Sequence, residues 1–126
     1  MPDKEDLKIL VVDDFSATRT LVINHLRDLG YSHAVEAENG ISALSRLKSA
    51  IFDLVVTDCS MTDMSGLDLL KLIRADSELK HIPVLMVTSE DLQGNIVTAI
   101  KAGLNDYIVS PFEEYTFKQK LEKIFV

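Results

Sequence analysis

The stretch KILVVDD, residues 8–14, joins an unbroken β-rich apolar run to two adjacent acids. Four more β-rich runs follow along the chain, at Ala34–Ala37, Asp53–Thr57, Pro83–Val87 and Asp106–Val109. Three of the five runs are almost continuous Val, Ile and Leu, a pattern typical of strands whose two faces are both covered by helices. The runs therefore predict a parallel sheet with helices on both faces rather than a sheet with one solvent-exposed face.

Stretches of helical periodicity separate these runs and follow the last one. Their apolar residues recur in five groups: Val22, Leu26 and Leu29; Ile41, Leu44 and Leu47; Leu69, Leu72 and Ile73; Leu92, Ile96, Ala99 and Ile100; Phe117, Leu121 and Ile124. Ser16 is interpreted as the N-cap of the first helix, and Gly30 and Gly103 as C-terminal stops. Alternating strands and helices predict an α/β fold in which right-handed crossovers place helices on both faces of the sheet.

Composition narrows the class of protein. The chain has 126 residues, 47% of them hydrophobic and 26% charged, which suits one domain over residues 1–126 and not two. Its formal charge of −7 disfavours binding to nucleic acids or anionic membranes, because both need basic clusters. Residues 1–6 are polar, are expected to be flexible and contain no secretory signal. Cys59 is the single cysteine and cannot form an internal disulfide, and we expect a cytoplasmic protein.

Acids and hydroxyl groups stand where the predicted strands end. Asp13 and Asp14 follow the first strand, Asp58 ends the third, and Thr88 and Ser110 follow the fourth and fifth. Ligands of open parallel sheets bind at this carboxyl edge, so the three carboxylates are expected to converge there. Clustered acids are costly without a positive partner, and Mg²⁺ or alternatively Mn²⁺ suits oxygen ligands without histidine or cysteine. The other interpretation is that these acids merely cap the helices that follow.

Five segments together carry a resemblance to a known family. They are VVDDFS at residues 11–16, DCSMTDMSGLDLL at 58–70, PVLMVTS at 83–89, AG at 102–103 and YIVSPF at 107–112. In this order and spacing they resemble the receiver domains of two-component response regulators, over almost the whole chain. IRAD at residues 73–76 and LEKIF at 121–125 are most like the single-domain chemotaxis response regulators. The resemblance implies a doubly wound, five-stranded parallel sheet of the flavodoxin-like (βα)5 type, with strand order 2-1-3-4-5.

The resemblance implies a role for each acid. Asp58 would accept a phosphoryl group from the phosphohistidine of a histidine kinase. Asp13 and Asp14 would hold Mg²⁺, Asp14 more directly, together with Asp58 and the backbone carbonyl of Ser60. Such an ion neutralises the charge between an attacking carboxylate and an anionic phosphoryl group. The protein would be a signalling protein and not a true enzyme, although the family catalyses its own phosphorylation from small donors and its own dephosphorylation.

The resemblance also implies a switch and a docking face. Thr88 matches the hydroxyl that moves to bond a phosphoryl oxygen, and Tyr107 matches the aromatic ring that swings inward with it. The expected partners are a histidine kinase, an output protein such as the flagellar motor switch, and a phosphatase, with the protein acting as a monomer. Candidate contact residues on the fourth helix, fifth strand and fifth helix are Ile96, Tyr107, Val109 and Lys120.

Two positions depart from the family's pattern. Ser110 replaces the lysine that normally precedes the proline and pairs with the acceptor aspartate, and no Lys or Arg lies between residues 101 and 118. Thr62 replaces the usual proline, which should loosen the loop after the acceptor. The family also implies a cis peptide bond between Ser110 and Pro111, which would place Ser110 beside the site.

Two alternative functions stay open on the sequence. Without the lysine, phosphorylation would be uncoupled from conformational change, leaving a constitutive interaction module or a phosphate sink. The sheet would also allow a mononucleotide-binding flavodoxin-like protein, although the chain has no glycine-rich phosphate loop and acids crowd the place of the phosphates. We expect instead that phosphorylation occurs but shifts the Thr88–Tyr107 switch less fully than in relatives that have the lysine.

Overall fold

The computed structural model describes residues 3–89 and 93–126, without the side chains of residues 93–95. In chain order the elements are β1 Lys8–Val12, α1 Ser16–Asp28, β2 His33–Ala37, α2 Gly40–Ser49, β3 Leu54–Asp58, α3 Gly66–Ala75, β4 Val84–Thr88, α4 Gln93–Lys101, β5 Asp106–Val109 and α5 Glu114–Ile124. A short 3-10 helix, Lys4–Asp6, precedes β1 within the segment predicted to be flexible, and that flexibility stays a prediction. Leu92, assigned to the fourth helix from the sequence, lies outside the described residues.

The five strands form one parallel sheet in the order β2-β1-β3-β4-β5. The predicted fold class and strand order are therefore confirmed, and each predicted strand boundary agrees with the structure to within one residue. Neighbouring strands end in register: Asp58 of β3 lies opposite Val87 of β4, and Thr88 lies opposite Val109 of β5. Side chains that follow different strands are thereby brought to one edge of the sheet.

The central strands separate two apolar cores. Leu10 and Val12 of β1 pack towards α2, α3 and α4, whereas Ile9 and Val11 pack towards α1 and α5. Strands β1, β3 and β4 are buried on both faces, which explains their almost continuous apolar composition. The outer strands β2 and β5 are partly exposed. The buried strands form a firm support for the loops at their carboxyl ends.

Both predicted glycine stops are present. Gly30 and Gly103 have φ angles of 99° and 106°, in the left-handed region that side chains with a Cβ rarely adopt. The N–H of Tyr31 donates to the carbonyl of Leu26 at 2.8 Å, which is the bond that ends α1 around such a glycine. The helices have 9–13 residues, and among the described residues none is long and apolar enough to cross a membrane.

One sequence prediction about the helices is wrong. Ser16 is the first residue of α1 and not its N-cap, because Phe15 holds that position without a side-chain bond. Ile41, Leu72 and Ile100 share the apolar periodicity of their helices but are exposed. Periodicity over three turns thus defines a helix face too coarsely to separate adjacent positions.

Candidate functional site

Three carboxylates meet at the carboxyl edge of the central strands. Asp13 and Asp14 follow the end of β1, and Asp58 is the last residue of β3. One carboxylate oxygen from each residue lies within 4.8 Å of the other two. The structure therefore brings together the three acids that were predicted to converge from their places at the strand ends, although Asp14 and Asp58 are 44 positions apart along the chain.

The cluster has the features of a site for a hard cation. Asp13 is only 5% exposed, and Oδ1 of Asp14 is the one buried side-chain oxygen or nitrogen among the described residues that has no hydrogen-bond partner. A buried carboxylate oxygen without a partner is costly, and a cation would supply the missing contact. The cluster offers oxygen atoms and no nitrogen or sulfur, which fits Mg²⁺ or Mn²⁺ better than Zn²⁺.

Burial and neighbouring charge make Asp58 hard to ionise. Burial, then the negative charge of Asp13 and more weakly that of Asp14, raises the pKa of Asp58 to about 6, and the backbone N–H groups of Cys59 and Ser60 oppose that rise. Burial also raises the pKa of Asp13. The acids therefore resist ionising together. A cation among them would favour the carboxylate form of Asp58 that nucleophilic attack requires.

Asp13 is held by contacts that sequence reasoning missed. Its Oδ1 accepts the N–H of Phe15 at 2.9 Å, and its backbone carbonyl accepts from Nη1 of Arg19 at 2.6 Å. Arg19 is fixed in turn by Glu36 of β2, whose Oε1 lies 2.8 Å from the guanidinium Nε. A basic residue six positions after an acid forms no recognisable motif, so no signal in the sequence could have placed Arg19 here.

The β4 and β5 side of the edge carries hydroxyl groups. Thr88 is buried at the end of β4, and its Oγ1 donates to the carbonyl of Ser89 at 3.2 Å. The N–H of Ser110 donates to the Thr88 carbonyl at 2.7 Å, and the peptide bond between Ser110 and Pro111 is cis, as the resemblance implied. Ser110 itself is exposed to solvent. The structure thus places Ser110 directly beside the end of β4.

The loop between β3 and α3 begins at the candidate acceptor. The N–H of Gly66 donates to the Cys59 carbonyl at 2.8 Å, and a Cβ at Gly66 would overlap the carbonyl of Asp58, so the close approach requires glycine. Cys59 is buried, and burial raises the pKa of its thiol, which is typical of a packing residue rather than a reactive cysteine. Ser60 is exposed at the start of this loop, and its carbonyl stays a predicted ligand.

An ion pair lies on the predicted docking face. The Lys120 Nζ is 3.0 Å from Oδ1 of Asp106 and 5.2 Å from the centre of the Tyr107 ring. Sequence reasoning named Tyr107 and Lys120 but missed Asp106, because the pair joins β5 to α5 across 14 positions. The positive charge of Lys120 is thus already paired within the chain.

Ile96 is a wrong candidate for the docking face. It is 6% exposed and packs in the core, so its side chain is not accessible to a partner. On the same helix, Val97 and Ile100 are 55% and 54% exposed. Val109 is partly buried. The face therefore presents Val97 and Ile100 from α4 in place of Ile96.

A family model for the response regulator receiver domain matches residues 9–122. The chain belongs to this family. The receiver domain spans the sheet from β1 to α5 and includes all three clustered acids. Receiver domains of this kind are signalling proteins rather than enzymes in the ordinary sense, and the mononucleotide-binding alternative is set aside by the match.

Similar proteins narrow the subgroup of receiver domains. The chain is 55% identical over 121 residues to chemotaxis protein CheY-3 of Vibrio cholerae, covering 96% of this chain and 93% of the relative. It is 51% identical over 119 residues to chemotaxis protein CheY of Pseudomonas aeruginosa, covering 94% and 96%. The predicted resemblance to chemotaxis response regulators is thereby confirmed.

Solved receiver structures share the fold. Vibrio cholerae chemotaxis protein CheY4 matches with a TM-score of 0.86 at 31% identity, covering 94% of this chain and 98% of that one. The receiver domain of a sensor histidine kinase from Pseudomonas aeruginosa PAO1 matches with a TM-score of 0.85 at 28% identity, covering 95% and 98%. That second structure is described as having a magnesium ion coordinated in its active-site cleft.

Proposed function

We propose that this receiver domain is a single-domain response regulator of the chemotaxis type, which accepts a phosphoryl group from a histidine kinase on Asp58. The observation that carries the proposal is the cluster of Asp13, Asp14 and Asp58 with its unpartnered Asp14 oxygen. Similarity to CheY proteins supports a role in chemotaxis. The proposal places the protein in the cytoplasm and takes it to act as a monomer. The output partner is then the flagellar motor switch, and a phosphatase is a further partner.

In the proposed phosphoryl transfer, the Asp58 carboxylate is the nucleophile. One of its oxygens forms a bond to phosphorus while the bond from phosphorus to the kinase histidine nitrogen breaks, and the nitrogen keeps the bonding electron pair. The product is an acyl phosphate on Asp58. When bound, Mg²⁺ supplies positive charge that offsets the phosphoryl group and the acids. Asp13, Asp14, Asp58 and the carbonyl of Ser60 are the groups that would hold it. The proposal includes self-phosphorylation from small donors and self-dephosphorylation by the same arrangement.

The Thr88 hydroxyl connects the site to the docking face. Its acceptor in the structure is the Ser89 carbonyl, at a long 3.2 Å. Rotation towards a phosphoryl oxygen would exchange this weak bond for a charge-assisted one. Tyr107 lies on the adjacent strand opposite Met86, two pairs before the Thr88–Val109 pair and therefore on the same face of the sheet. We infer that the rotation of Thr88 draws Tyr107 inward and so changes the surface around Val109 and Lys120.

Acetyl phosphate tests the acceptor function without a kinase. Incubating the full chain with acetyl phosphate and Mg²⁺ is expected to add one phosphoryl group, detected by intact-mass spectrometry, and EDTA should prevent the addition. A peptide from the flagellar motor switch tests the output, because its affinity should rise when beryllofluoride and Mg²⁺ are added to mimic the phosphoryl group. No mass increase would remove the acceptor function. Equal peptide affinity in both states would favour the constitutive interaction module.

A further inference from the structure

One carboxylate ties the loop between β3 and α3 to the beginning of α2. Oδ1 of Asp63 accepts the N–H of Gly40 at 3.1 Å and the N–H of Met64 at 2.8 Å, and Oδ2 accepts the N–H of Ile41 at 2.9 Å. These backbone N–H groups lower the pKa of Asp63, against the opposing effect of burial. A single exposed side chain therefore joins two segments that are 23 positions apart.

The helix that receives these bonds has a cap of its own. Asn39 is the N-cap of α2, and its Oδ1 accepts the N–H of Ser42 at 2.8 Å. The bonds from Asp63 reach the free amides of the first turn in addition to this cap. Their main effect falls on the loop, because α2 is anchored by buried residues such as Ala43 and Leu47, whereas the loop after Cys59 packs on the core through the partly buried side chains of Met61 and Met64.

The loop has few other restraints between its two ends. Its base is closed by the bond from the Gly66 N–H to the Cys59 carbonyl, and Thr62 in the middle is exposed and has the φ freedom that a proline would lack. Met64 adds an apolar contact, because its side chain lies so close to Gly40 that a Cβ there would overlap it. Asp63 and Met64 are thus the two side chains that hold this loop in position against α2.

We propose that Asp63 is a positioning residue for the magnesium site, an inference that rests on the proposed function. The loop leaves the site at Asp58 and carries Ser60, whose carbonyl is the predicted fourth ligand group. Holding Asp63 against the first turn of α2 limits the positions that the Ser60 carbonyl can take. Removing that restraint leaves the three carboxylates in place on the ends of their strands but costs ordering of the loop each time the ion binds.

The experiment compares two variants of Asp63 with a matched control by calorimetric titration with Mg²⁺. Asp63→Ala removes the three bonds and is expected to raise the Kd for Mg²⁺ by about 3–10-fold, somewhat less than the roughly 10–100-fold typical of direct outer-shell partners. Asp63→Asn loses the same charge and also the bond from the Ile41 N–H, which would face the amide nitrogen, but it keeps the oxygen that accepts from Gly40 and Met64. Its Kd should therefore lie between those of the parent and Asp63→Ala. Asp53→Ala removes a carboxylate that accepts the Lys8 N–H at 2.8 Å at the opposite edge of the sheet, and should leave the Kd unchanged.

A second readout separates positioning from general loss of stability. With acetyl phosphate, the Mg²⁺ concentration for half-maximal phosphorylation should rise in Asp63→Ala, while the rate at saturating Mg²⁺ stays near that of the parent. A parent-like Kd in Asp63→Ala overturns the inference. If Mg²⁺ binding is weakened equally in Asp63→Ala and Asp63→Asn, or is weakened in Asp53→Ala, the effect is due to charge. Either result also overturns the inference that Asp63 positions the site. If the parent binds no Mg²⁺, the proposed function fails instead, and the inference fails with it.

Discussion

The two sides of the sheet's carboxyl edge differ in charge. The side formed by β1 and β3 carries three carboxylates around one point, whereas the side formed by β4 and β5 carries the hydroxyl groups of Thr88 and Ser110. In the proposed function, the first side captures a cation and a phosphoryl group, and the second side detects that capture and transmits it to the predicted docking face. Acceptance and response would then depend on separate residues. Only the response side departs at a charged position, Ser110, from the pattern that the family resemblance implies.

A count of charges gives the size of this departure. With Mg²⁺ bound, a phosphoryl group of about −2 together with ionised Asp13 and Asp14 leaves a net charge of about −2. A lysine in place of Ser110 would reduce that to about −1. A charge pair near 4 Å has a Coulomb energy of about 4 kcal/mol at an effective dielectric constant of about 20, before desolvation, against about 1 kcal/mol for a hydroxyl hydrogen bond. We therefore expect the response on the β4 and β5 side to be weaker than the phosphoryl acceptance on the β1 and β3 side.

The largest expected effect is on the acceptor side. Asp58→Asn keeps the shape of the side chain but removes the nucleophilic carboxylate, so phosphoryl incorporation from acetyl phosphate should fall to nothing. Intact-mass spectrometry measures this directly. Asp53→Asn makes the same chemical change at the other edge of the sheet and should label like the parent. Stable labelling of Asp58→Asn would show that the acceptor lies elsewhere.

The next effect separates binding from stability within the acidic cluster. Asp14→Ala should weaken Mg²⁺ binding by at least about 10-fold, because it removes the ligand with the free buried oxygen. The same change should leave the metal-free protein at least as stable as the parent, since a buried oxygen without a partner is costly. Calorimetry with Mg²⁺ and urea unfolding in EDTA check the two halves. Unchanged Mg²⁺ affinity would remove Asp14 from the site.

The pH dependence of stability tests the raised pKa of Asp58, which also lies on the β1 and β3 side. Asp58 has a pKa of about 6 in the folded protein and about 3.9 in an unfolded chain. Because the folded pKa is raised, the contribution of Asp58 to stability is complete below about pH 4 and is lost as the pH rises through about 6. In EDTA, the stability advantage of Asp58→Asn over the parent should therefore grow between those pH values, to on the order of 1–2 kcal/mol.

Urea unfolding at several pH values measures this difference. Saturating Mg²⁺ is the control, because a bound cation stabilises the ionised Asp58 of the parent and should remove the advantage of the variant. A difference between variant and parent that stays constant from about pH 4 to about pH 7 would contradict a raised Asp58 pKa.

The smallest expected effect is on the response side. Ser110→Lys should increase the ratio of motor-switch peptide affinities measured with and without beryllofluoride, by about 5–10-fold, because only part of the Coulomb energy survives desolvation. Ser110→Gln is the matched control, since it lengthens the side chain without adding charge and should not change the ratio. A ratio already large in the parent, and unchanged by lysine, would show that another group does the work of the missing charge.

Much of the fold and the acidic site could be predicted because the signals are local. Strands β1, β3 and β4 are buried on both faces, so each appears as a short continuous apolar run with a definite end. Asp13, Asp14 and Asp58 stand at those ends, and parallel strands in register must bring them to one edge. The stops at Gly30 and Gly103 are equally local, because a left-handed residue after a helix calls for glycine.

Contacts between separate elements could not be predicted in this way. The bonds from Arg19 to Asp13 and from Lys120 to Asp106 depend on how α1 and α5 lie on the sheet. The choice between Ile96 and Ile100 as the buried residue of α4 depends on a rotation of the helix that periodicity does not resolve. These misses share one cause, which is that the partner is chosen by packing and not by spacing along the chain.

The pattern of residues was therefore sufficient for the parallel α/β fold and the position of the acidic cluster, because both follow from short-range hydrophobicity and from where a strand ends. The strand order and the family came from the resemblance that the five motif segments carry. The attachment of the β3–α3 loop to α2 through Asp63, the unpartnered oxygen of Asp14 and the burial of Ile96 were decided by the packed molecule. Each of these features depends on which groups remain exposed to solvent. That exposure is determined only when helices and strands that are distant in sequence pack against one another.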